Sequence, residues 1–315
     1  MIMKMAIIVL SFFMFFNCED LYIIFLIDRM SMVMKMDGVL LINKPAGYTS
    51  HDIVNIVRKQ LHTKKVGHCG TLDPDATGVL VVCVNKATKI IQFLTSESKI
   101  YRATLTLGKS TDTYDASGKV LEEKDVKPIH IDEVKETLNE FLGQSKQIPP
   151  IYSAIKVKGK KLYEYAREGK EVEIEPRNIE IFMIDLIAFD GINMTFDVSC
   201  SKGTYIRSLC VDIAKKLGYP GYMSHLVRRQ SGAFHLDECI TLDDLLNDKY
   251  SILSIDEALK DFPKIMVKDE NIVYHGKKIK NDFNEQVAIC NKEGHILAIY
   301  GPDGRGYLKN IRGLW

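Results

Sequence analysis

The chain has 315 residues and a mass of 35.8 kDa, enough for one large domain or a medium domain with a small one. With 46% hydrophobic and 26% charged residues it is neither a disordered nor a fibrous chain. Lys plus Arg total 42 against 41 for Asp plus Glu, so a strongly basic nucleic-acid coat and an acidic tail protein are excluded, whereas a local basic face is not.

The first 36 residues do not match the rest. They hold 8 of the 12 methionines, and no Gly or Pro precedes Gly38. Met5–Phe16 is an apolar run of signal-peptide length behind Lys4, but no small-residue cleavage site follows it. The polar break Asn17–Asp20 interrupts it as a membrane anchor, which needs about 20 apolar residues. Residues 1–35 are therefore read as an in-frame extension outside the functional protein, with Met30, Met32, Met34 and Met36 as alternative starts. No membrane association is expected.

Gly38–Asn43 reads as a strand ended by Lys44-Pro45-Ala46-Gly47. A helix follows, opened by the capping-box pair Thr49 and Asp52, with Ile53, Val57 and Leu61 on one face. The segment from Gly67 to Gly78 is rich in turn formers, and Val79–Val84 is apolar on both faces, the pattern of a central buried strand. A short helix is predicted over Lys86–Leu94. Ile100–Leu107 alternates, with Tyr101, Ala103, Leu105 and Leu107 sharing a face. The spacing of Val134, Leu138 and Leu142 predicts a helix over Asp132–Leu142, with Gly143 as its C′ residue.

Residues 144–176 break the pattern with Pro149-Pro150, clustered lysines and Tyr152, Tyr163 and Tyr165. Strands are predicted at Ile179–Phe189 and Met194–Cys200. A helix from about Thr204 to Leu217 turns Ile206, Leu209, Cys210, Ile213 and Leu217 inward. Short elements lie around Leu242–Leu246 and Asp256–Leu259, and a small β-rich appendage is expected from Pro263 onward. Sheet, flanking helices and hairpin candidates together give an α+β class.

The 7 cysteines form no C-x-x-C, and no His pair has zinc spacing. They read as buried reduced thiols of a cytoplasmic protein, and no metal site is expected. Gly108-Lys109-Ser110 imitates the end of a P-loop, but Ala103 stands where its first glycine belongs. Asn193-Met194-Thr195 is a glycosylation sequon without a secretory context.

The chemistry concentrates in Val66–Gly78, where three glycines and a proline shape an irregular loop that carries His68 and Asp73 into a buried strand. From composition alone, a functional carboxylate loop and a plain solvated turn are both open. Gly67-His68-x-Gly70-Thr71-Leu72-Asp73-Pro74-x-Ala76-Thr77-Gly78 resembles the signature of the TruB family of tRNA pseudouridine synthases. Further blocks resemble that family in its order. They are Leu41-Ile42-Asn43-Lys44-Pro45-x-Gly47-x-Thr49-Ser50, Lys99-Ile100-Tyr101-Arg102-Ala103, and Gly108-x-x-Thr111-Asp112-Thr113-x-Asp115-Ala116-x-Gly118. Gln147-Ile148-Pro149-Pro150-x-Tyr152-Ser153-Ala154-x-Lys156, Cys200-Ser201-Lys202-Gly203-Thr204-Tyr205-Ile206-Arg207 and Leu226-x-Arg228 complete the set. The resemblance spans about residues 37–240.

The resemblance implies a pseudouridine-synthase catalytic fold, a mixed and mostly antiparallel sheet with flanking helices, over 36–262. It implies an isomerase that converts the uridine at T-loop position 55 of tRNA to pseudouridine, acting as a monomer without cofactor or metal. By this resemblance Asp73 is the nucleophile, able to add to an electrophilic carbon of the sugar or the base and leave again. Tyr101 stacks on the extruded uracil and can help move its C5 proton, although its face also fits a core tyrosine. Arg207 pairs with Asp73 and favours its ionised form. His68, Tyr205 and Leu226 contact the substrate, and Lys44 and Pro45 shape the rim of the site.

The 144–176 insertion is expected to grip the T-arm with cations and aromatics, or else to be a charged hairpin diluted by Glu164, Glu168, Glu171, Glu173 and Glu175. Residues 263–315 are expected to form a PUA-like RNA-binding unit. Two relatives in function stay open: a guide-RNA-dependent synthase of the same family, and a catalytically silent RNA-binding protein. Cys69 stands where Thr is usual, and Asn85 where Gly is common, which leaves the turn at Asn85 in question.

Overall fold

A computed structural model describes residues 36–95, 98–281 and 283–315. The expectations for residues 1–35, including Cys18, lie outside the described residues. The strands, in chain order, are β1 (Gly38–Lys44), β2 (Val66–His68), β3 (Thr77–Val84), β4 (Lys99–Leu107), β5 (Lys109–Thr111), β6 (Val120–Glu123) and β7 (Gly143–Gln147). There follow β8 (Lys156–Val157), β9 (Lys160–Lys161), β10 (Arg177–Phe189), β11 (Asn193–Cys200), β12 (Gly221–Ser231) and β13 (Phe234–His235). One sheet runs β1-β3-β12-β4-β11-β10-β7, with β2 beside β3 and β13 beside β12. Its pairings are antiparallel except β3 with β12.

The apolar run of β3 is explained by cover on both faces. Leu80, Val82 and Val84 pack with Ile53, Val54 and Val57 of the helix Ser50–Gln60 and with Leu61 at its C-cap. Val79, Val81 and Cys83 face a second core. That helix starts at the expected box: Thr49 Oγ1 accepts from the Asp52 N–H at 3.1 Å, and the Asp52 carboxylate accepts from the Thr49 N–H at 2.8 Å. Asn85, at φ 52°, adopts the left-handed turn without glycine. It does so because its amide is used, accepting from Thr63 Oγ1 at 2.6 Å and donating to the Met36 carbonyl at 3.0 Å.

β4 alternates as expected. Tyr101, Ala103, Leu105 and Leu107 join Leu209, Cys210 and Ile213 of the helix Ile206–Lys216 in the largest core. The opposite face carries polar cross-strand pairs. Arg102 grips Asp197 bidentately at 2.8 and 2.7 Å, and Thr104 meets Thr195 at 3.1 Å.

Three local expectations change. The helix predicted over Asp132–Leu142 is Ile131–Asn139, and Gly143, at φ 87°, opens β7 instead of closing the helix. The helix predicted from Thr204 starts at Ile206 behind Tyr205. The long strand β12 was not anticipated, because bulges at Met223/His225 and Arg228/Gln230 break its period of two, and a buried position carries Arg228.

The parallel contact of β3 with β12 pairs Thr77 with Val227 and Gly78 with Arg228, and it joins the two halves of the sheet. Gly78 has φ 102°, and a Cβ there would lie 2.2 Å from the Arg228 carbonyl oxygen. Gly78→Ala is therefore expected to destabilise the protein by about 2–4 kcal/mol, a backbone-clash and strain effect that a urea melt of the variant would measure.

Beyond the main sheet, β14 (Lys264–Met266), β15 (Ile279–Lys280), β16 (Val287–Cys290), β17 (Ile296–Pro302) and β18 (Tyr307–Gly313) form a second sheet in the order β14-β16-β17-β18-β15. Ala288, Cys290, Ile296 and Ile299 of this sheet share a core with Val39, Val79 and Val81 of the first. Among the described residues no helix is long and apolar enough to cross a membrane.

Candidate active site

The loop between β2 and β3 is fastened on both sides of Asp73. Ser50 Oγ accepts from the Leu72 N–H at 2.9 Å and donates to the Leu72 carbonyl at 3.2 Å. The Pro74 carbonyl accepts from Lys44 Nζ at 2.8 Å and from the Gly47 N–H at 3.0 Å. Lys44 is fully buried and also donates to the carbonyls of Pro45 and Tyr48, at 2.9 and 2.6 Å. Burial lowers its pKa to about 8, against the opposing pull of Asp75 and Asp73. Lys44 and Pro45 do not line the cavity in front of Asp73; Lys44 stands behind the loop and ties it to the end of β1.

Arg207 meets Asp73 from the first turn of its helix. Its Nε lies 2.9 Å from Asp73 Oδ2, and Nη2 donates to Oδ1 at 3.1 Å, a bidentate pair. The remaining donors reach the Thr113 carbonyl at 3.1 Å and the Tyr152 carbonyl at 3.0 Å, and Asp115 Oδ2 lies 3.6 Å away. The Arg207 side chain is 7% exposed and that of Asp73 35%. A cation at a helix N-terminus is disfavoured by the helix dipole, and these partners supply the compensation. Burial raises the Asp73 carboxyl above its ordinary range; Arg207 opposes the rise, and the neighbouring Asp115 adds to it.

A cavity of about 670 Å³ opens in front of this pair. Asp73, Tyr101, Leu226 and Arg228 line it, with Tyr205 at the helix start and Tyr152, Ser153 and Tyr163 from the 144–176 segment. Burial pushes the Tyr101 phenol up, while Arg228, hydrogen-bonded to it, pulls it down. Arg228 is itself buried, with Nε on the Val79 carbonyl at 2.7 Å and Nη2 on the Gly70 carbonyl at 3.1 Å.

Five of the eight expected site residues thus converge on one cavity: Asp73, Tyr101, Tyr205, Arg207 and Leu226. His68 lies in β2 opposite Val82 and does not line the cavity. Its Nδ1 is buried without a partner, and burial, then the nearby Arg228, lowers its pKa. Arg228 and Asp115 were visible only as letters of the quoted motifs, and Tyr152 only as an aromatic of the 144–176 segment; a buried arginine in an unrecognised strand gives no periodic signal.

Residues 58–206 match the family profile described as TruB family pseudouridylate synthase, N-terminal domain, and residues 207–262 match that of the tRNA pseudouridylate synthase B C-terminal domain. The chain belongs to the TruB family of pseudouridylate synthases. The family assignment makes the protein an isomerase with a pseudouridine-synthase fold.

Proteins named tRNA pseudouridine synthase B from Bacillus cytotoxicus and Bacillus anthracis are 46% and 47% identical to it over 297 residues, covering 88% of this chain and 97% of theirs. One from Caldanaerobacter subterraneus subsp. tengcongensis is 47% identical over 277 residues, 86% of this chain and 97% of that one. Among solved structures, a Cbf5–Nop10–Gar1 complex matches with TM-score 0.68 at 28% identity, over 86% of this chain and 80% of that one. An H/ACA ribonucleoprotein bound to a substrate RNA containing 2′-deoxyuridine matches with TM-score 0.68 at 25% identity, over 88% of this chain and 85% of that one. Among the described residues no group of three or more His, Cys, Asp or Glu side chains could hold a metal ion. The described cysteines are all unpaired and, apart from the half-buried Cys239, buried; burial pushes the Cys200 thiol up to about 11.

Proposed function

We propose that this TruB protein isomerises uridine-55 in the T-loop of tRNA to pseudouridine, as a stand-alone monomeric enzyme of the cytoplasm. The bidentate Arg207–Asp73 pair at the floor of an aromatic-lined cavity carries the reading. In the reaction the C1′–N1 bond breaks, the uracil turns over, a C1′–C5 bond forms, and the proton on C5 is lost while N1 regains one. No atom is gained or lost overall. Asp73 serves as the nucleophile that holds one fragment while the other turns, splitting a hard exchange into two easier ones.

The target base must leave its stack, at a cost of roughly a few kcal/mol. Tyr101 and Leu226 offset this cost by contact with the extruded ring. Tyr101 is buried and its phenol is held protonated at neutral pH, which suits stacking better than proton abstraction in the resting site. Arg207 keeps the carboxylate oriented and opposes its protonation.

The 144–176 segment supports the stand-alone reading. It places Tyr152 and Tyr163 on the cavity and sets Lys161 and Arg167 over the Tyr163 ring, at 5.3 Å each. Cations and aromatics on one surface suit phosphates and unstacked bases. The second sheet, β14–β18, fits a further RNA contact of the PUA-like kind.

The deciding assay incubates the purified protein with unmodified tRNA and maps pseudouridine by position. Product at position 55 without any added RNA is expected. Product only in the presence of a guide RNA would replace this reading by the guided one, and no product under either condition would leave an RNA-binding protein. Binding should weaken with salt. Because each phosphate contact contributes about 0.7–0.9 to the slope of log affinity against log salt, Arg177→Ala and Lys202→Ala, both at the cavity, should each flatten the slope by about that amount.

A further inference from the structure

The helix that carries Arg207 starts without a cap of its own. Tyr205 holds its N-cap position, and no side chain there bonds back onto the first turn. Uncapped backbone groups at a helix start need partners from elsewhere. One of them, the Tyr205 N–H, finds its partner at the end of the edge strand β7. Gln147 Oε1 accepts from the Tyr205 N–H at 2.8 Å, and Gln147 Nε2 donates to the Tyr205 carbonyl at 3.1 Å. Gln147 is 4% exposed, so water does not substitute for either bond. One residue later the contact repeats in the opposite sense: Ser208 Oγ, from the helix, donates to the Ile148 carbonyl at 2.8 Å.

A primary amide at this reach does both jobs, because one end accepts and the other donates. Asparagine is one carbon too short, ionised glutamate can only accept, and methionine fills the space with neither function. The clamp lies directly before the residue that matters. Arg207 is two residues beyond Tyr205, and its guanidinium is fanned between Asp73 and the carbonyls of Thr113 and Tyr152. A bidentate pair is sensitive to sub-ångström shifts in the backbone that carries it.

We propose that Gln147 is a positioning residue for pseudouridine formation: its amide fixes the start of the Arg207 helix from β7 and so holds the guanidinium in register with the Asp73 carboxylate. The proposal rests on the reading of Asp73 and Arg207 given above. Gln147 does not line the cavity and acts through Tyr205 and Arg207.

The test compares the wild-type protein with Gln147→Met and Gln147→Glu. Single-turnover rates on tRNA should fall about 10–100-fold in Gln147→Met, the scale set by an ångström of misplacement, with tRNA affinity nearly unchanged. Gln147→Glu, which keeps the bond from the Tyr205 N–H, should fall between the two. The acid limb of the rate should move to higher pH in Gln147→Met, since a carboxylate with a loosened cation protonates more readily. A structural role alone would lower the folded fraction without moving that limb.

An NMR titration of isotope-labelled aspartate carboxyls, with the Asp73 signal assigned by its loss in Asp73→Asn, reads the same shift with no substrate present. An upward shift supports the clamp even if the wild-type protein were to make no pseudouridine, which would instead refute the proposed activity. An unmoved Asp73 titration and an unmoved acid limb in Gln147→Met would overturn it. Should Gln147→Met not fold, the titration of Gln147→Asn, which is neutral and too short to reach both groups of Tyr205, decides in the same way.

Discussion

Asp73→Asn is expected to lower the single-turnover rate of pseudouridine formation by at least about 10⁴-fold, the scale on which losing a nucleophile acts. The substitution is nearly isosteric, and Arg207 keeps its bonds to the Thr113 and Tyr152 carbonyls. The fold and tRNA affinity should therefore persist, and a gel-shift titration run beside the rate measurement separates binding from chemistry. Near wild-type product from this variant would remove Asp73 from the mechanism.

The wild-type enzyme carries a related pH signature. Burial raises the Asp73 carboxyl, so the acid limb of the rate should lie above the ordinary aspartate value of 3.8. The sign for stability runs the other way. A carboxyl whose folded pKa is raised binds its proton more tightly in the folded state, so this group's contribution becomes more favourable as pH falls through the folded value. Acid should switch off activity at this site before it unfolds the protein there.

The second large effect is expected at Arg207. Arg207→Met removes the cation that opposes protonation of Asp73, so the acid limb should move to higher pH and the rate at neutral pH should fall by about 10²–10³-fold. It also leaves a partly buried carboxylate without its cation. Breaking a fully buried pair costs about 3–5 kcal/mol; with Asp73 about one-third exposed, about 1–3 kcal/mol is expected in a denaturant melt. Asp115→Asn should move the limb in the opposite direction, because Asp115 is the nearby negative charge that raises Asp73. If the two variants shifted the limb the same way, the electrostatic account of this site would fail.

Much of this site could be read from the chain alone, and the reasons are local. The loop Gly67–Gly78 announces itself through glycine and proline, but composition left a functional loop and a solvated turn both open, and Asp73 was singled out as the nucleophile by the resemblance to the TruB motif. The period of two in β4 placed Tyr101 on the inward face, and the resemblance to the family motif gave it a role in the site. The fully apolar β3 correctly implied cover on both faces, which the helix Ser50–Gln60 and the second core provide.

Lys44 illustrates what was not legible. Its place beside the site could be inferred from the motif around it, but its buried role behind Pro74 depends on three carbonyls brought together by two loops. β12 and β7 escaped notice for a related reason. Bulges and buried polar residues such as Arg228 and Gln147 look like loop composition until their partners are known.

By itself the sequence determined what neighbouring residues impose on one another: the capping box at Thr49, the alternation of β4, the turn that displays Asp73, and the ordered motifs of one enzyme family. Tertiary structure alone decided which charges meet. Asp73 and Arg207 lie 134 residues apart, and Arg228 reaches a carbonyl 158 residues away. Hydrophobic periodicity arises from a side chain's contact with a face, and it repeats along the chain. A hydrogen bond or ion pair across the sheet depends on two distant backbones arriving within about 3 Å in the correct orientation, and no local pattern records that arrival.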